Sequence, residues 1–138
     1  MILILGAAGV LAGCGAGSHA VGTTSGVAAA QKAQESFRLQ VQGFEARLQT
    51  AVTAFRSGKF GAAQASGTSL LTSCQRQVSK LAANATTRPQ RSAAAYLRVA
   101  CTDMTEAAQA GAKGKLGRAK TLAGEALAQA KLAVAQLR

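Results

Sequence analysis

The chain has little aromatic, acidic or histidine content and almost no proline. Aromatic residues make up 4% of its 138 residues, Trp is absent, and Pro and His occur once each. Five Asp and Glu stand against 16 Lys and Arg, which gives a formal net charge of +11. Strands of a β-sandwich or β-barrel need β-branched and aromatic residues, so the composition argues against both folds. A single Pro leaves long helices uninterrupted.

The apolar content of the chain is high but consists mostly of small residues. Hydrophobic residues account for 49% of the sequence, and 33 of the 138 residues are Ala. This apolar content is too high for a wholly disordered chain, and the length fits one domain rather than two. Because Ala is the strongest helix former, the composition predicts a single all-α domain.

The chain also lacks the residues that most catalytic and metal sites use. Its one His is His19, so a Ser-His or Cys-His nucleophile is excluded further along the chain. Asp103 and Glu106 stand three residues apart on one predicted helix, and a solvated surface pair is the better interpretation than general acid/base work. The sequence contains Gly58-Lys59 and Gly114-Lys115, but neither pair has the surrounding spacing of a phosphate loop. We therefore predict no enzyme activity, no metal and no cofactor.

An uncharged apolar run covers residues 2–12 and ends in Leu11-Ala12-Gly13-Cys14. The run has the length of a signal-peptide core and is too short to span a bilayer. These four residues resemble the lipobox of bacterial lipoproteins: an aliphatic residue, two small residues and a Cys. The resemblance implies that a signal peptidase recognises Leu11, Ala12 and Gly13, and that Cys14 becomes the first, lipidated (palmitate-bearing) residue. It also implies an extracytoplasmic protein anchored in the cell membrane or the outer membrane.

The sequence divides into three segments on this interpretation. Residues 1–13 are the lipoprotein signal peptide; no Lys or Arg precedes its apolar run, so we expect the true start to lie upstream. Residues 14–30 are rich in Gly, Ser, Thr and Ala, which predicts a flexible, lipid-anchored tether. Residues 31–138 form the predicted helical bundle domain.

Apolar residues recur at helical spacing in four stretches of the third segment. The first stripe consists of Phe37, Val41, Phe44, Leu48, Val52 and Phe55, and the fourth begins at Leu116. Ala and Gly on the third and fourth stripes are expected to bring those two helices close together. The stretches are separated at residues 57–59, 84–89 and 111–114. The stripe of the second stretch falls on the stripe of the fourth when 56 is added to each residue number. The turn sequence Gly-Lys-x-Gly-x-Ala repeats at the same offset, at residues 58–63 and 114–119. We predict a four-helix up-down-up-down bundle made of two tandem αα-hairpins related by duplication. The repeated turn faintly resembles the helix junction of tetratricopeptide repeats, although a period of 56 does not predict their superhelix.

Cys74 and Cys101 remain as a pair once Cys14 is assigned to the lipid. They are equidistant from a point between Thr87 and Arg88, inside the predicted second turn. Two residues equidistant from the turn of an antiparallel hairpin lie at the same height. Outside the cytoplasm disulfides persist, so the pair is predicted to form one. Two reduced buried thiols are the alternative.

Basic residues are the most abundant polar feature of the predicted bundle. Two groups stand out as candidate anion-binding residues: Lys113, Lys115, Arg118 and Lys120 around the third turn, and Arg88, Arg91 and Arg98 on the third helix. They would face anionic lipid headgroups or a cell-wall polymer. A solvated surface that keeps the protein soluble is an equally weighted alternative.

The sequence thus predicts a non-enzymatic, membrane-anchored lipoprotein of the cell envelope. Its helical domain would bind a partner, either an unknown protein or an anionic envelope component. The alternative is a basic, nucleoid-type DNA-binding protein, if the N-terminal signal is not real. Nucleic acid is the less favoured partner because the predicted location is extracytoplasmic. The chain also has a single Tyr that could stack on bases.

Overall fold

The computed structural model describes the backbone of residues 20–58 and 60–138, and the side chains of residues 25–58 and 71–138. Four helices make up this part of the chain: α1 (Ala20–Arg56), α2 (Phe60–Ala83), α3 (Arg88–Ala112) and α4 (Leu116–Ala135). The described residues contain no strand. The prediction of an all-α, four-helix bundle is confirmed. The lipobox Leu11–Cys14 and His19 lie outside the described residues.

The chain divides into two compact units, Met1–Lys32 and Ala33–Arg138. Residues 20–32, the described part of the first unit, are helical, and side chains 25–32 are exposed. The tether over residues 14–30 stays a prediction; residues 14–19 lie outside the described residues, and residues 20–30 belong to α1. Helix forms here because residues 27–33 include four Ala, the residue with the strongest helix propensity. The unit boundary lies two residues beyond the predicted start of the bundle at 31.

The core of the second unit contains every member of the stripe predicted for α1. These large side chains are all buried: Phe37, Val41, Phe44, Leu48, Val52 and Phe55. Cys74, Val78 and Leu81 of α2 are buried as well. The apolar stripe of Leu97 and Met104 on α3 completes the same core. The helical spacing predicts Leu116 in the core. Its side chain is instead 43% exposed, at the first residue of α4.

Small residues occupy the seam between α3 and α4. Ala107 and Ala110 of α3 are buried, as are Ala119, Ala123 and Ala126 of α4. Side chains this small allow two helix backbones to approach closely, and the α3–α4 pair has the most extensive close backbone approach among the described elements. The close packing expected from the Ala and Gly residues is present.

The two hairpins repeat each other's turns at the predicted offset of 56. Helix α1 ends at Arg56 and α3 at Ala112, while α2 starts at Phe60 and α4 at Leu116. Gly58 has φ 73° and Gly114 has φ 71°, a left-handed conformation that Gly adopts without steric cost. The two turns share the same backbone geometry, which agrees with a duplicated hairpin.

The turn between α2 and α3 is fixed by a capping box. Thr87 is the N-cap residue, and its hydroxyl accepts a hydrogen bond from the Gln90 backbone N–H at 3.3 Å. The buried Gln90 carboxamide oxygen accepts in return from the N–H groups of Thr86 and Thr87, at 2.9 and 3.1 Å. Pro89 lies in the first turn of α3, where its missing N–H is not needed. Helix α3 thus begins at a well-defined point.

None of the described helices has both the length and the hydropathy that a bilayer-spanning segment requires.

Candidate functional site

The structure brings Cys74 of α2 and Cys101 of α3 to disulfide distance. Their Cα atoms are 5.9 Å apart and their sulfur atoms are bonded. Both side chains are buried, so the bridge lies inside the bundle rather than on its surface. The pair predicted from equal distance to the turn is therefore placed as expected.

The seven basic residues named from the sequence do not form one surface. All seven are exposed. Arg88 starts α3 and Lys113 follows its last residue. A helical rise of 1.5 Å per residue separates these two residues by about 37 Å, the full length of the bundle. The candidates therefore have to be considered by location.

Three of the seven surround a single depression at the α3–α4 turn. Lys113, Lys115 and Arg118 line it, together with Glu106, Gln109 and Ala110 of α3. The volume of the depression is about 300 Å³, and it is open to solvent. Lys120 is exposed on the following turn of α4 and is not part of the lining. We call Lys113, Lys115 and Arg118 the basic cluster.

Backbone hydrogen bonds hold this turn in place. The Lys115 N–H donates to the Ala110 carbonyl at 2.9 Å, and the Gly114 N–H donates to the Gly111 carbonyl at 3.0 Å. Gly114 adopts the left-handed conformation that commonly ends a helix, so α3 can end here without steric cost. The two lysines that flank Gly114 thus project from a defined backbone.

Two members of the basic cluster lie where positive charge does not stabilise a helix. Lys115 is the N-cap residue of α4 but makes no side-chain cap hydrogen bond, and the first turn of α4 has no acidic residue. The N-terminus of a helix carries a partial positive charge, so Lys115 and Arg118 lower the stability of α4. Lys113 differs from them because it is the C-cap residue of α3, where positive charge is favourable. Helix stability therefore accounts for Lys113 but not for Lys115 and Arg118.

The basic side chains have few internal partners. The only salt bridge among the described side chains joins Arg38 to Glu35, with an N–O distance of 2.8 Å. Each member of the basic cluster is thus free of an ion pair and keeps its positive charge open to an external anion. Arg56 adds charge at the same end of the bundle, because its Nη2 atom lies 3.3 Å from the position a Cβ at Gly124 would take.

The basic residues of α3 lie elsewhere. The Arg91 guanidinium donates to the Thr86 carbonyl at 2.9 Å and so helps to hold the α2–α3 turn. Arg98 lines a second depression, of about 310 Å³, beside Cys101 and Thr102. Neither Arg88 nor Arg91 shares a depression with the basic cluster. The structure therefore separates these three candidates from the cluster.

Three carboxylates, those of Asp103, Glu106 and Glu125, lie on the same pair of helices as the basic cluster. Burial raises the pKa of the Asp103 carboxyl, and the nearby charges of Glu125 and Glu106 raise it further. Spacing along the chain pairs Asp103 with Glu106 but does not identify Glu125 of α4. Asp103 and Glu125 each stand eleven residues from Gly114, so equal distance from the turn would have identified the pair. Asp103 and Glu125 are set back from the turn, whereas Glu106 lines the depression beside the basic cluster.

Within the described ranges, no group of three or more His, Cys, Asp and Glu side chains could hold a metal ion. Comparison with known proteins adds no further assignment: the chain matches no protein-family model, no curated protein and no solved structure.

Proposed function

We propose that the chain is a non-enzymatic lipoprotein of the cell envelope, anchored through lipid on Cys14, whose helical bundle binds an anionic envelope component. The lipobox resemblance at Leu11–Cys14 supports the anchor. Cys74 and Cys101 at disulfide distance support an extracytoplasmic location, since disulfides persist outside the cytoplasm. On this proposal the bridge forms in the native protein after export.

The observation that carries the binding function is the basic cluster. Lys113, Lys115 and Arg118 converge on one depression without a salt-bridge partner. The charges of Lys115 and Arg118 oppose the dipole of α4, so an anion bound there would relieve an unfavourable arrangement. Basic residues that surround an open depression recognise phosphate or carboxylate groups through charge-assisted hydrogen bonds.

Metabolic labelling with a fatty-acid probe tests the anchor. The wild-type chain should incorporate the label and fractionate with membranes, while Cys14→Ser should lose the label. Cys74→Ser is the matched control, because it removes a thiol that the proposal assigns to the disulfide, and it should keep the label. A soluble, unlabelled wild-type protein would contradict the anchor and would favour the DNA-binding alternative.

A pull-down from the envelope fraction tests the binding surface. The triple variant Lys113→Gln/Lys115→Gln/Arg118→Gln should retain less anionic material than the wild type, and the difference should shrink at high salt because salt screens exposed charges. The control variant Arg76→Gln/Lys80→Gln/Lys131→Gln removes the same charge from exposed positions elsewhere. Equal, salt-insensitive retention by all three proteins would contradict the proposed surface.

A further inference from the structure

The bridge between Cys74 and Cys101 is open to approach from one side of the bundle. A depression of about 310 Å³ lies between α2 and α3, and Cys101 is part of its lining. Cys101 and Val78 are buried and form the floor of this depression. The other lining residues are exposed and form its rim: Gln75 and Ser79 of α2, and Arg98 and Thr102 of α3. The depression thus leads from solvent to one sulfur of the bridge.

The two sulfur atoms differ in their access to this depression. Cys74 is as deeply buried as Cys101, but it is not part of the lining. In thiol–disulfide exchange a thiolate attacks one sulfur while the other sulfur leaves, and access helps to decide which sulfur is attacked. A thiolate that enters the depression therefore meets Cys101.

Arg98 favours the two possible attacks in different ways. Attack at Cys101 brings the incoming thiolate into the depression that Arg98 lines, whereas attack at Cys74 would make the Cys101 thiolate the leaving group there. A better leaving group speeds exchange, but only once the attacking thiolate has reached the sulfur. Since Cys74 does not line the depression, attack there requires the packing of α2 on α3 to open first. Access therefore outweighs the leaving group and favours Cys101.

The rim of the depression suits a small thiol that carries negative charge. Arg98 is the one charged side chain among the described residues of the lining, and it makes no salt bridge to a described side chain. Gln75 and Ser79 add a carboxamide and a hydroxyl that can donate to a carboxylate. A volume of about 310 Å³ lies at the lower limit for small-molecule sites, about 300–1,000 Å³.

We propose that Cys101 is the site at which a small, carboxylate-bearing thiol opens the bridge. The thiolate attacks the Cys101 sulfur, a new disulfide forms between the two, and the bond to Cys74 breaks. The electron pair of that bond leaves with Cys74, whose thiolate then takes a proton from water. The bridge closes when the Cys74 thiolate attacks Cys101 and expels the small thiol. This reaction is independent of the proposed function, because it uses α2 and α3 and does not involve lipid on Cys14.

Exchange with reduced glutathione, a thiol that carries carboxylates, tests which sulfur is attacked. The purified full-length protein, with its bridge closed, is incubated with glutathione, quenched with acid and alkylated. Trypsin then places Cys14, Cys74 and Cys101 on separate peptides, residues 1–32, 60–76 and 99–113. We expect glutathione on peptide 99–113 and the alkyl group on peptide 60–76. Glutathione on peptide 60–76, on both peptides equally or on neither of them would overturn the proposal.

The same reaction in denaturant is the control for the role of the fold. Unfolding exposes both sulfur atoms, so the preference for Cys101 should be lost. A preference that persists in denaturant would come from the local sequence and would overturn the proposal. The variants Cys74→Ala and Cys101→Ala provide a second measurement, with circular dichroism to check that each is folded. Oxidised glutathione should react faster with the thiol of Cys101 in the first variant than with that of Cys74 in the second, and equal rates would contradict the proposal.

Arg98→Gln tests the charge of the thiol, with Lys131→Gln as the matched control. Lys131 is exposed on α4 and is not part of this depression. Arg98→Gln should slow exchange with glutathione by roughly two- to fivefold, as expected for the loss of one exposed charge pair. It should not slow exchange with cysteamine, whose ammonium group offsets the charge of its thiolate. Lys131→Gln should react as the wild type does, and equal slowing by both variants would overturn the preference for an anionic thiol.

Discussion

The ring of Phe55 packs against Gly111, with its Cε1 atom 3.6 Å from the position that a Cβ at Gly111 would occupy. The two residues are 56 apart and hold equivalent places in the two hairpins. At this pair, as at Phe44 and Ala100, α1 carries a large side chain and α3 a small one. The two hairpins thus present complementary surfaces here: the large side chains of α1 fill the space beside the narrow seam of α3 and α4.

Gly111→Ala should stabilise the protein. The new Cβ would meet Phe55 at 3.6 Å and Ala119 at 3.8 Å, both ordinary van der Waals contacts. Ala is favoured over Gly inside a helix by about 0.5–1 kcal/mol. Denaturant unfolding should therefore show a higher midpoint with an unchanged slope. Gly111→Leu is the matched control: it overfills the same space and should cost about 1–3 kcal/mol. A lower midpoint for the Ala variant would contradict the packing at this end of the bundle.

Loss of the bridge between Cys74 and Cys101 should lower the free energy of unfolding by about 3–4 kcal/mol. The sequence separation is 27, and the bridge restricts the unfolded chain over that loop. The double variant Cys74→Ala/Cys101→Ala measures the effect without leaving a polar hydroxyl in the core. It should unfold at the same midpoint with and without dithiothreitol, whereas the wild type should be destabilised by the reductant. A wild-type midpoint that does not respond to reduction, with two free thiols by mass spectrometry, would contradict the bridge.

The sequence predicted most of the fold because its signals are local. Helical spacing identifies the residues that α1 buries, and Gly58 and Gly114 identify two of the turns. Two features depended on information that periodicity does not contain. Residues 20–30 are helical although Gly, Ser and Thr are frequent there, because Ala residues follow in the same helix. Leu116 keeps the helical register and is exposed because it begins its helix, where fewer neighbours cover it.

The candidate site was predicted by residue type but not by location. The sequence identified Lys113, Lys115 and Arg118 together with Lys120, and the first three do surround one depression. It grouped Arg88, Arg91 and Arg98 by helical face, although the capping of the α2–α3 turn engages Arg91. The angular position of a residue around its helix shows which face it shares with other residues of that helix. It does not show which side chains of neighbouring helices it contacts. Arg56 was missed for the same reason, since its approach to Gly124 is a tertiary contact.

Gly114→Ala should destabilise the bundle, while Gly43→Ala should not. Gly114 has φ 71°, which an L-residue adopts only at a cost of about 1–2 kcal/mol. Gly43 lies inside α1, and a Cβ there would meet nothing within 4 Å. Its replacement should stabilise by about 0.5–1 kcal/mol through helix propensity. Thermal unfolding of the two variants should therefore shift in opposite directions. A shift in the same direction would argue against the left-handed turn between α3 and α4.

Asp103→Asn should stabilise the protein at neutral pH and have no such effect in acid. The fold raises the pKa of Asp103, first through burial and then through Glu125 and Glu106. The unfolded chain releases the proton at the ordinary pKa, about 3.9. Folding therefore favours the protonated carboxyl, and Asp103 costs stability as the pH rises from the unfolded value through the folded value. Asn removes that cost only where the carboxyl would be ionised.

Thermal melts of the wild type and Asp103→Asn between pH 2.5 and 7 measure this difference. The melting temperatures should diverge as the pH rises and meet again below the ordinary pKa. Glu125→Gln tests the cause, because it removes one like charge and leaves the burial of Asp103 unchanged. By carboxyl NMR titration it should lower the pKa of Asp103, though not fully to the ordinary value. A pKa of Asp103 that does not respond to Glu125→Gln would show that the two carboxylates do not interact across the α3–α4 seam.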